Sequence, residues 1–390
     1  MKEFFNFLRR WKYDFLIAML YFITVGFMIK YCTLQTLDIK VHNFLLRDYL
    51  QEGFFPWPPG YYSILYIVDF IIRIKHPFVV SSFIVLTFFL WWKYKLVNIW
   101  ISNSGGLKQG YVAFLSISFL FLSPIYIPAI DGPFWYLGKF TQTIWHNSTL
   151  IASFPFSILL VKQTFTWFES KKEKDLLYML ALGLGIILIK PSFMFCFIPA
   201  LPIFTLFRER KLSKTVFISL GLSFSFFLLL LLEKELIYTW DPMIPKLYSS
   251  EEQSQVILNP FRLFLHYSTE PVFDFFSSFP LTLVFLFLWR KKAFDSQFFN
   301  FSLLLLIFAL AVYFLFAETG FRELHGNFYW QIPIALFLHN LSIVLIVVQE
   351  FLANNKKVNI KIILISAVYL VQVLLGINYW LRLFYGYTLS

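Results

Sequence analysis

Long apolar segments, separated by short polar stretches, recur along almost the whole chain. Each is close to the ~20 residues that a helix needs to cross the hydrocarbon core of a bilayer. Charged residues make up only 14% of the sequence, against about 25% in a typical soluble domain. A membrane β-barrel is excluded, because its strands alternate apolar and polar residues and do not form solid apolar runs. The sequence therefore predicts an all-α, polytopic membrane protein.

The apolar runs predict about eleven transmembrane helices in a single integral membrane domain, 1–390. The predicted spans are 15–31, 78–94, 110–128, 148–166, 174–189, 192–207, 215–232, 272–289, 299–316, 331–349 and 361–381. Segment 61–75 is also apolar, but Asp69 interrupts it and the stretch "FPWPPGYY" precedes it. Proline fixes its own φ and restricts the residue before it, so a turn is expected there.

The basic residues decide whether segment 61–75 crosses the membrane. If it does not cross, and the N-terminus is cytoplasmic, 21 of the 33 Lys and Arg residues lie on the cytoplasmic side, with eight acidic residues. If it crosses, clusters such as "RERK" and "WRKK" are placed outside. Cytoplasmic loops are enriched in Lys and Arg. The first arrangement is favoured, with segment 61–75 as an interfacial or re-entrant helix and the C-terminus outside.

In this arrangement the long loops 32–77, 129–147, 233–271 and 317–330 all lie on the outer face. The net charge of +11 then reflects basic loops on the cytoplasmic side, and nucleic-acid binding is not expected. The sequence contains no metal-ligand spacing such as HExxH and no glycine-rich nucleotide-binding pattern. Neither a metal nor a cofactor is expected.

The first outer loop carries an acid and a histidine with helical spacing. Asp38 and His42 are four residues apart, so they share one face of a helix. Phe44, Leu45, Tyr49 and Leu50 make the same stretch amphipathic, as in a helix that lies in the membrane interface. Asp38 is either a general base that partial desolvation activates or a helix-start residue that the helix dipole favours.

These features together resemble the GT-C superfamily of integral membrane glycosyltransferases. The resemblance rests on Asp38 just after the first span, an interfacial helix, and the stretch 58–62, "PPGYY", before a segment that does not cross. It implies that Asp38 is the catalytic acid of the first loop. It also implies a polyprenyl- or dolichyl-phosphate-linked sugar as donor and a lipid-linked or surface glycan as acceptor. The composition favours a bacterial inner membrane and a polyprenyl-phosphate donor over the endoplasmic reticulum and a dolichol donor. Many members carry two adjacent acids at this position, whereas Ile39 follows Asp38 here.

Two further outer loops contain polar and aromatic residues at the starts of spans. Their sequences "WHNST" (145–149) and "GNFYW" (326–330) resemble the WHN-x-T and GNF-x-W segments of an uncharacterised group of bacterial multi-span proteins. Aromatic side chains in such loops stack on sugars or form an interfacial belt, and Asn and Ser bind hydroxyls or cap helices. The predicted substrate-binding residues are His42, Asp131, His146, Asn147, Lys190, Arg262, Glu318, Arg322, His325 and Asn327.

Two other functions remain open on the sequence. A flippase or carrier for a lipid-linked glycan would need polar residues along a path through the bilayer, and the spans are nearly free of them apart from His339 and Asn340. A glycan polymerase or ligase would share the outer-face site and couple whole oligosaccharides. The hexosyltransferase prediction has Asp38 as base, with Lys190, Arg322 and Arg262 holding the leaving phosphate.

Overall fold

A computed structural model describes residues 2–31, 38–73, 78–131, 137–247, 249–250 and 252–384. Residues 32–37, 74–77 and 132–136 of the predicted outer loops therefore lie outside the described residues. Helices hold 76% of the residues and strands 2%. The prediction of an all-α membrane protein is confirmed.

The first half of the described chain has eight helices and no strand. Its helices are α1 (Lys2–Tyr31), α2 (Asp38–Gln51), α3 (Pro59–Ile72), α4 (Val79–Ser102), α5 (Gln109–Phe119), α6 (Pro128–Asp131), α7 (Ser148–Ser170) and α8 (Glu173–Ile189).

The second half adds a two-stranded sheet. Its elements are α9 (Ser192–Glu209), α10 (Lys214–Tyr238), α11 (Ile244–Leu247), β1 (Val256–Leu258), α12 (Arg262–Tyr267), α13 (Pro271–Ser277), α14 (Pro280–Asp295), α15 (Gln297–Leu315), β2 (Phe316–Glu318), α16 (Gln331–Ala353) and α17 (Ile360–Phe384). The strands pair antiparallel, with Val256 opposite Glu318, which ties the loop after α10 to the loop before α16.

Within the described ranges, eight helices are long and apolar enough to cross a membrane. They are α1, α4, α7, α9, α10, α15, α16 and α17. A ninth crossing forms if α13 and α14, which meet at a 60° bend, act as one span. Two of the predicted spans are not among these helices, because α8 has 17 residues and α5 has 11.

α8 nevertheless runs antiparallel to α7 along its whole length. Near one end, Gln163 Nε2 of α7 donates to Oδ1 of Asp175 in the first turn of α8 (2.9 Å). At the other end, the ammonium of Lys190, directly after α8, donates to Oγ1 of Thr149 in α7 (3.0 Å). The same ammonium lies 5.2 Å from the ring centroid of Trp330, directly before α16. The starts of α7, α9 and α16 therefore meet at one end of the bundle, called the site end below.

The predicted helix over 110–128 is helical only as far as Phe119. Segment 120–127 then runs beside α17, where Ser123 N–H donates to the Gln372 carbonyl (3.3 Å) and Gln372 Nε2 donates to the Ser123 carbonyl (2.9 Å). The contact is so close that a Cβ on Gly376 would lie 1.4 Å from the Phe121 carbonyl oxygen. Non-helical backbone at membrane depth needs burial and protein partners of this kind, and residues 119–124 are buried.

The chain then returns to α7 through a buried irregular segment, 137–147. Gln142 Nε2 donates to the carbonyl of Phe119 at the end of α5 (2.6 Å). Asn340 of α16 donates to Gln142 Oε1 (2.8 Å). Asn340, the polar residue that the sequence places within a span, thus supplies a hydrogen bond to the side chain of Gln142 in this segment.

The first loop folds into a pair of short helices, as predicted. α2 is amphipathic, although its buried stripe is Ile39, Asn43, Leu46 and Tyr49, and Phe44, which the sequence placed in the apolar face, is 49% exposed.

α3 has 14 residues and begins at the predicted proline turn. At its start, a Cβ on Gly60 would lie 2.7 Å from the Leu188 carbonyl oxygen near the end of α8. At its end, Asp69 accepts from the backbone N–H of Phe78 (2.7 Å) and from Ser81 at the start of α4 (3.1 Å). α3 therefore connects the site end to the start of α4.

Candidate functional site

The predicted catalytic residue Asp38 is the first residue of α2 and lies against the start of α7. Its Oδ2 accepts from the backbone N–H of Ser148 (2.8 Å) and lies 3.4 Å from Nε2 of His42. Its side chain is 26% exposed, so an incoming molecule can reach it. The two residues that the sequence paired by helical spacing do face each other.

A chain of polar contacts extends from Asp38 into α3. Nδ1 of His42 lies 2.6 Å from the hydroxyl of Tyr62. Burial raises the pKa of Tyr62, so the phenol keeps its proton. The Asp38 carboxylate can only accept, so Nε2 of His42 faces it as N–H, and in the neutral ring Nδ1 then accepts from the Tyr62 hydroxyl. Tyr62, which the sequence analysis did not assign to the site, therefore fixes the tautomer of His42.

The electrostatics at Asp38 differ from the expected activation by desolvation. Burial favours a higher pKa, but His42, the Lys190 ammonium and the Ser148 N–H together hold the pKa of Asp38 well below its usual range. The carboxylate is therefore ionised throughout the neutral range and is a weaker base than a free aspartate.

Lys190 places a cation near Asp38. It follows α8 as its C-cap residue, and its contacts with Thr149 and Trp330 put its ammonium between the starts of α7 and α16. Burial lowers the pKa of Lys190 to about 8, although the charge of Asp38 opposes the change. The lysine therefore loses part of its charge in mildly alkaline solution.

His146 and Asn147 precede α7 in this cluster. Burial lowers the pKa of His146, against the effect of Asp38, so its ring is neutral at pH 7. Asn147 Oδ1 accepts from the Leu150 N–H (2.9 Å), which is the helix-cap alternative considered on the sequence.

A second group of predicted residues surrounds Glu318 at the end of β2. The Tyr238 hydroxyl and Asn327 Nδ2 (2.6 Å) both donate to its carboxylate. Burial raises the pKa of Glu318 in spite of these bonds. The Arg322 guanidinium lies 4.7 Å from the Tyr238 ring centroid and is close enough to Tyr62 to lower its pKa against burial. Arg322 therefore connects the two groups.

Two other predicted residues, His325 and Arg262, lie outside the direct contacts of Glu318. Burial and the charge of Arg322 lower the pKa of His325, which places it near the Glu318 group. Arg262 Nε donates to Glu323 Oε1 (3.1 Å), and this exposed pair already neutralises the guanidinium.

Asp131, predicted to bind substrate, belongs to a separate buried cluster. The Lys139 ammonium pairs with the carboxylates of Asp131 and Asp274 (3.2 Å to Asp274). All three side chains are at most 5% exposed, and the cluster joins α6, segment 137–147 and α13. Burial raises the pKa of Asp131. Asp131 therefore takes part in a buried ion-pair cluster that connects parts of the fold, and it does not belong to the group of contacts around Asp38.

Besides His339, the long apolar helices bury other ionisable side chains, among them Lys93 and Glu233. Lys93 was counted with the cytoplasmic loops but lies within α4, 3% exposed, with its ammonium 3.5 Å from the ring centroid of Phe154. Glu233 of α10 is 6% exposed, and neither of its carboxylate oxygens has a hydrogen-bond partner among the described residues. A carrier would need polar residues along a path through the bilayer. The burial of Lys93 and Glu233 in these helices therefore makes a carrier easier to reconcile with the structure.

The arrangement suits an anionic ligand. The backbone N–H groups at helix starts carry partial positive charge, and here the starts of α2, α7, α9 and α16 converge beside Lys190. Among the described residues, no group of three or more His, Cys, Asp or Glu side chains has the geometry to hold a metal ion. The chain matches no protein-family model, no curated protein and no solved structure. Functional inference therefore depends on the residues and geometry given above.

Proposed function

We propose that the protein is a membrane glycosyltransferase of the GT-C type, which transfers a sugar from a polyprenyl-phosphate carrier to a hydroxyl of a lipid-linked or surface glycan. The observation that carries this proposal is the meeting of an ionised, partly exposed carboxylate, Asp38, with a partly buried lysine, Lys190, at the convergence of four helix starts. Transfer from a sugar phosphate needs a proton acceptor and a cationic site for the leaving phosphate, and both are present.

In the proposed reaction, an acceptor hydroxyl attacks the anomeric carbon of the donor sugar. The bond between that carbon and the phosphate oxygen breaks, and the phosphate leaves with the bonding electrons. Lys190, Arg322 and the N–H groups of the helix starts stabilise the charge that develops on the phosphate. Trp330 is buried and holds the Lys190 ammonium near its ring face.

The hydroxyl proton passes to Asp38 in this scheme. Because its pKa is held low, Asp38 takes the proton late, when bond formation has already made the hydroxyl strongly acidic. His42 and Tyr62 hold the carboxylate in place by the chain of contacts described above.

The proposal includes the topology expected from the sequence: eleven crossings, a cytoplasmic N-terminus, an outer C-terminus and a bacterial inner membrane. The antiparallel pairing of α8 with α7 supports α8 as a crossing. The run of segment 120–127 along α17 supports a crossing that is partly helical and partly extended. The site end is then the outer face, where lipid-linked sugars replace nucleotide sugars as donors.

The test is sugar transfer by the purified protein in liposomes, with radiolabelled polyprenyl-phosphate sugars and a crude lipid acceptor. Asp38→Asn preserves the shape of the side chain and removes the charge. We expect transfer to fall by about 10²-fold or more, with unchanged expression and melting temperature. The exposed acid variant Glu52→Gln is the matched control and should retain wild-type transfer.

Equal transfer by wild type and Asp38→Asn would remove Asp38 from the mechanism and make Glu318 the next candidate. If no donor supports transfer and the protein moves a labelled lipid-linked glycan across the bilayer, the protein is a carrier and not a transferase. The intramembrane positions of Lys93 and Glu233 are the observations that favour that second function.

A further inference from the structure

Two loops at the end of the bundle opposite the site end lie in contact. They are the connections from α7 to α8 and from α9 to α10. Lys171, the residue after α7, donates through its ammonium to Glu209 Oε1 (3.3 Å) and Thr215 Oγ1 (3.2 Å). Lys171 and Arg210 both end their helices in the left-handed conformation, which turns the two loops across the ends of the helices.

Arg208 lies in this contact with an unsatisfied donor. Its guanidinium lies 4.6 Å from the Phe168 ring centroid, so one face of it is fixed against the protein. Its Nη1 is buried and has no hydrogen-bond partner among the described residues. A buried charged donor without an acceptor is costly, so an anion that approaches the partly exposed Arg208 side chain lowers this electrostatic cost.

Further cations surround Arg208. Arg210, Lys211 and Lys214 are exposed, and none of them forms an ion pair with another described residue. Lys171 is 43% exposed even with its bond to Glu209. We call Lys171, Arg208, Arg210, Lys211 and Lys214 the basic loop pair.

Apolar side chains border the basic loop pair. Phe207 and Leu212 are 70% and 71% exposed, and Leu206 is 39% exposed. Large exposed apolar side chains next to a charged group at the end of a membrane helix face acyl chains just below the headgroups. A ligand that contacts both surfaces has an anionic head and an apolar tail.

We propose that the basic loop pair binds the headgroup of an anionic phospholipid. The partly exposed Arg208 side chain and the exposed cations contact the phosphate oxygens, and the acyl chains lie against Phe207 and Leu212. Basic clusters between helix ends at the membrane surface recognise such headgroups. This site is at the opposite end of the bundle from Asp38 and does not depend on the proposed transfer reaction.

The test is native mass spectrometry of the full-length protein in detergent, with cardiolipin or phosphatidylcholine added at equal concentration. We expect retained cardiolipin and little retained phosphatidylcholine. Arg208→Gln removes one charged hydrogen bond, worth about 1.5–3 kcal/mol, so bound cardiolipin should decrease by about tenfold or more. The double variant Arg210→Gln/Lys211→Gln changes only exposed side chains, so it tests the same site without risk to folding.

The matched control is Lys356→Gln/Lys357→Gln. These exposed lysines follow α16, at the same end of the bundle as the basic loop pair, and their loss changes the net charge by the same amount as the double variant. The control should retain wild-type cardiolipin binding. Equal loss in the control and in Arg210→Gln/Lys211→Gln would show only general attraction between charges and would overturn the proposed site. Release of cardiolipin by millimolar inorganic phosphate would show a free-phosphate site and would also overturn it.

Discussion

At the scale of single residues, the proposed chemistry depends on how neighbouring groups change the pKa values of Asp38 and Lys190. Sequence spacing placed Asp38 beside His42, and general rules suggested that burial would make the carboxylate more basic. The structure adds the Ser148 N–H and Lys190, both distant in sequence, and together with His42 these lower the pKa of Asp38 by more than burial raises it. The candidate base is thus an ionised carboxylate within a set of hydrogen bonds.

In the proposed reaction, the charge of Lys190 should make binding of the sugar-phosphate donor dependent on pH. Its pKa is lowered to about 8 by burial, so it is charged below that pH and becomes neutral as pH rises through it. Binding of a radiolabelled polyprenyl-phosphate sugar to the purified protein should therefore weaken between about pH 7 and about pH 9.5. Lys190→Arg stays charged over this range, and its binding should change little. A wild-type affinity that is constant with pH would contradict the role of Lys190.

Tyr62→Phe tests the chain of contacts behind Asp38. The substitution removes the hydroxyl that donates to Nδ1 of His42 and leaves the ring in place. We expect a loss of about 1 kcal/mol in stability and a several-fold slower transfer with little change in donor affinity, because the tautomer of His42 is no longer fixed. Tyr66→Phe, at a 43% exposed position of the same helix, should have no effect. Equal rates in Tyr62→Phe and wild type would exclude Tyr62 as a positioning residue.

At the scale of elements, two irregular segments depend on tertiary partners. Segment 120–127 lies against α17 through a contact that leaves no room for a side chain at Gly376. Gly376→Ala should therefore prevent folding or lower the melting temperature strongly, because the added Cβ would overlap the Phe121 carbonyl. Gly221→Ala in α10 is the control, since no atom lies within 4 Å of its Cβ position, and alanine favours helix by about 1 kcal/mol over glycine. Similar melting temperatures for the two variants would contradict this packing.

The buried cluster of Asp131, Lys139 and Asp274 fixes segment 137–147. Lys139→Gln leaves two carboxylates without their cation and should cost about 3–5 kcal/mol. Both carboxyl pKa values then rise in the folded state. The folded variant binds more protons than the unfolded chain, so its stability should be highest at low pH and be lost as pH rises.

The check is the melting temperature of Lys139→Gln as a function of pH. Lys246→Gln removes the cation of an exposed pair with Glu52 and should cost less than about 1 kcal/mol. A Lys139→Gln protein as stable as Lys246→Gln at neutral pH would show that the buried pairs do not hold the segment.

At the scale of the whole molecule, the number of crossings sets the side on which the site lies. Eleven crossings place exposed Ser250 and exposed Asn355 on opposite sides of the membrane. Single cysteines at these positions, in a chain without Cys32 and Cys196, should differ in labelling by an impermeant maleimide added to intact cells. Ser250→Cys should react and Asn355→Cys should react only after lysis. The reverse pattern would move the site to the cytoplasmic side and exclude an outer-face lipid donor.

The helices were largely predictable, because each long apolar run has to form a helix to satisfy its backbone within the bilayer. The start of the short helix α3 was predictable from proline geometry, and the absence of a crossing there stays a prediction from the distribution of Lys and Arg. The break after Phe119 was not, because an apolar sequence gives no sign that α17 and segment 137–147 will satisfy its backbone groups. Tyr62 and Ser148 were missed for a related reason, since an ordinary tyrosine and the first residue of a helix carry no local signal.

The sequence by itself determined that this chain is a helical membrane protein, and it marked Asp38, His42 and Lys190 as unusual polar residues beside apolar runs. The reason is that membrane insertion depends on local composition and length. Only the tertiary structure decided which of the polar residues meet. It brought Lys190 to the starts of α7 and α16, Arg322 to Glu318 and Tyr238, and Asp131 to Lys139 and Asp274, because the packing of helices distant in sequence sets these contacts.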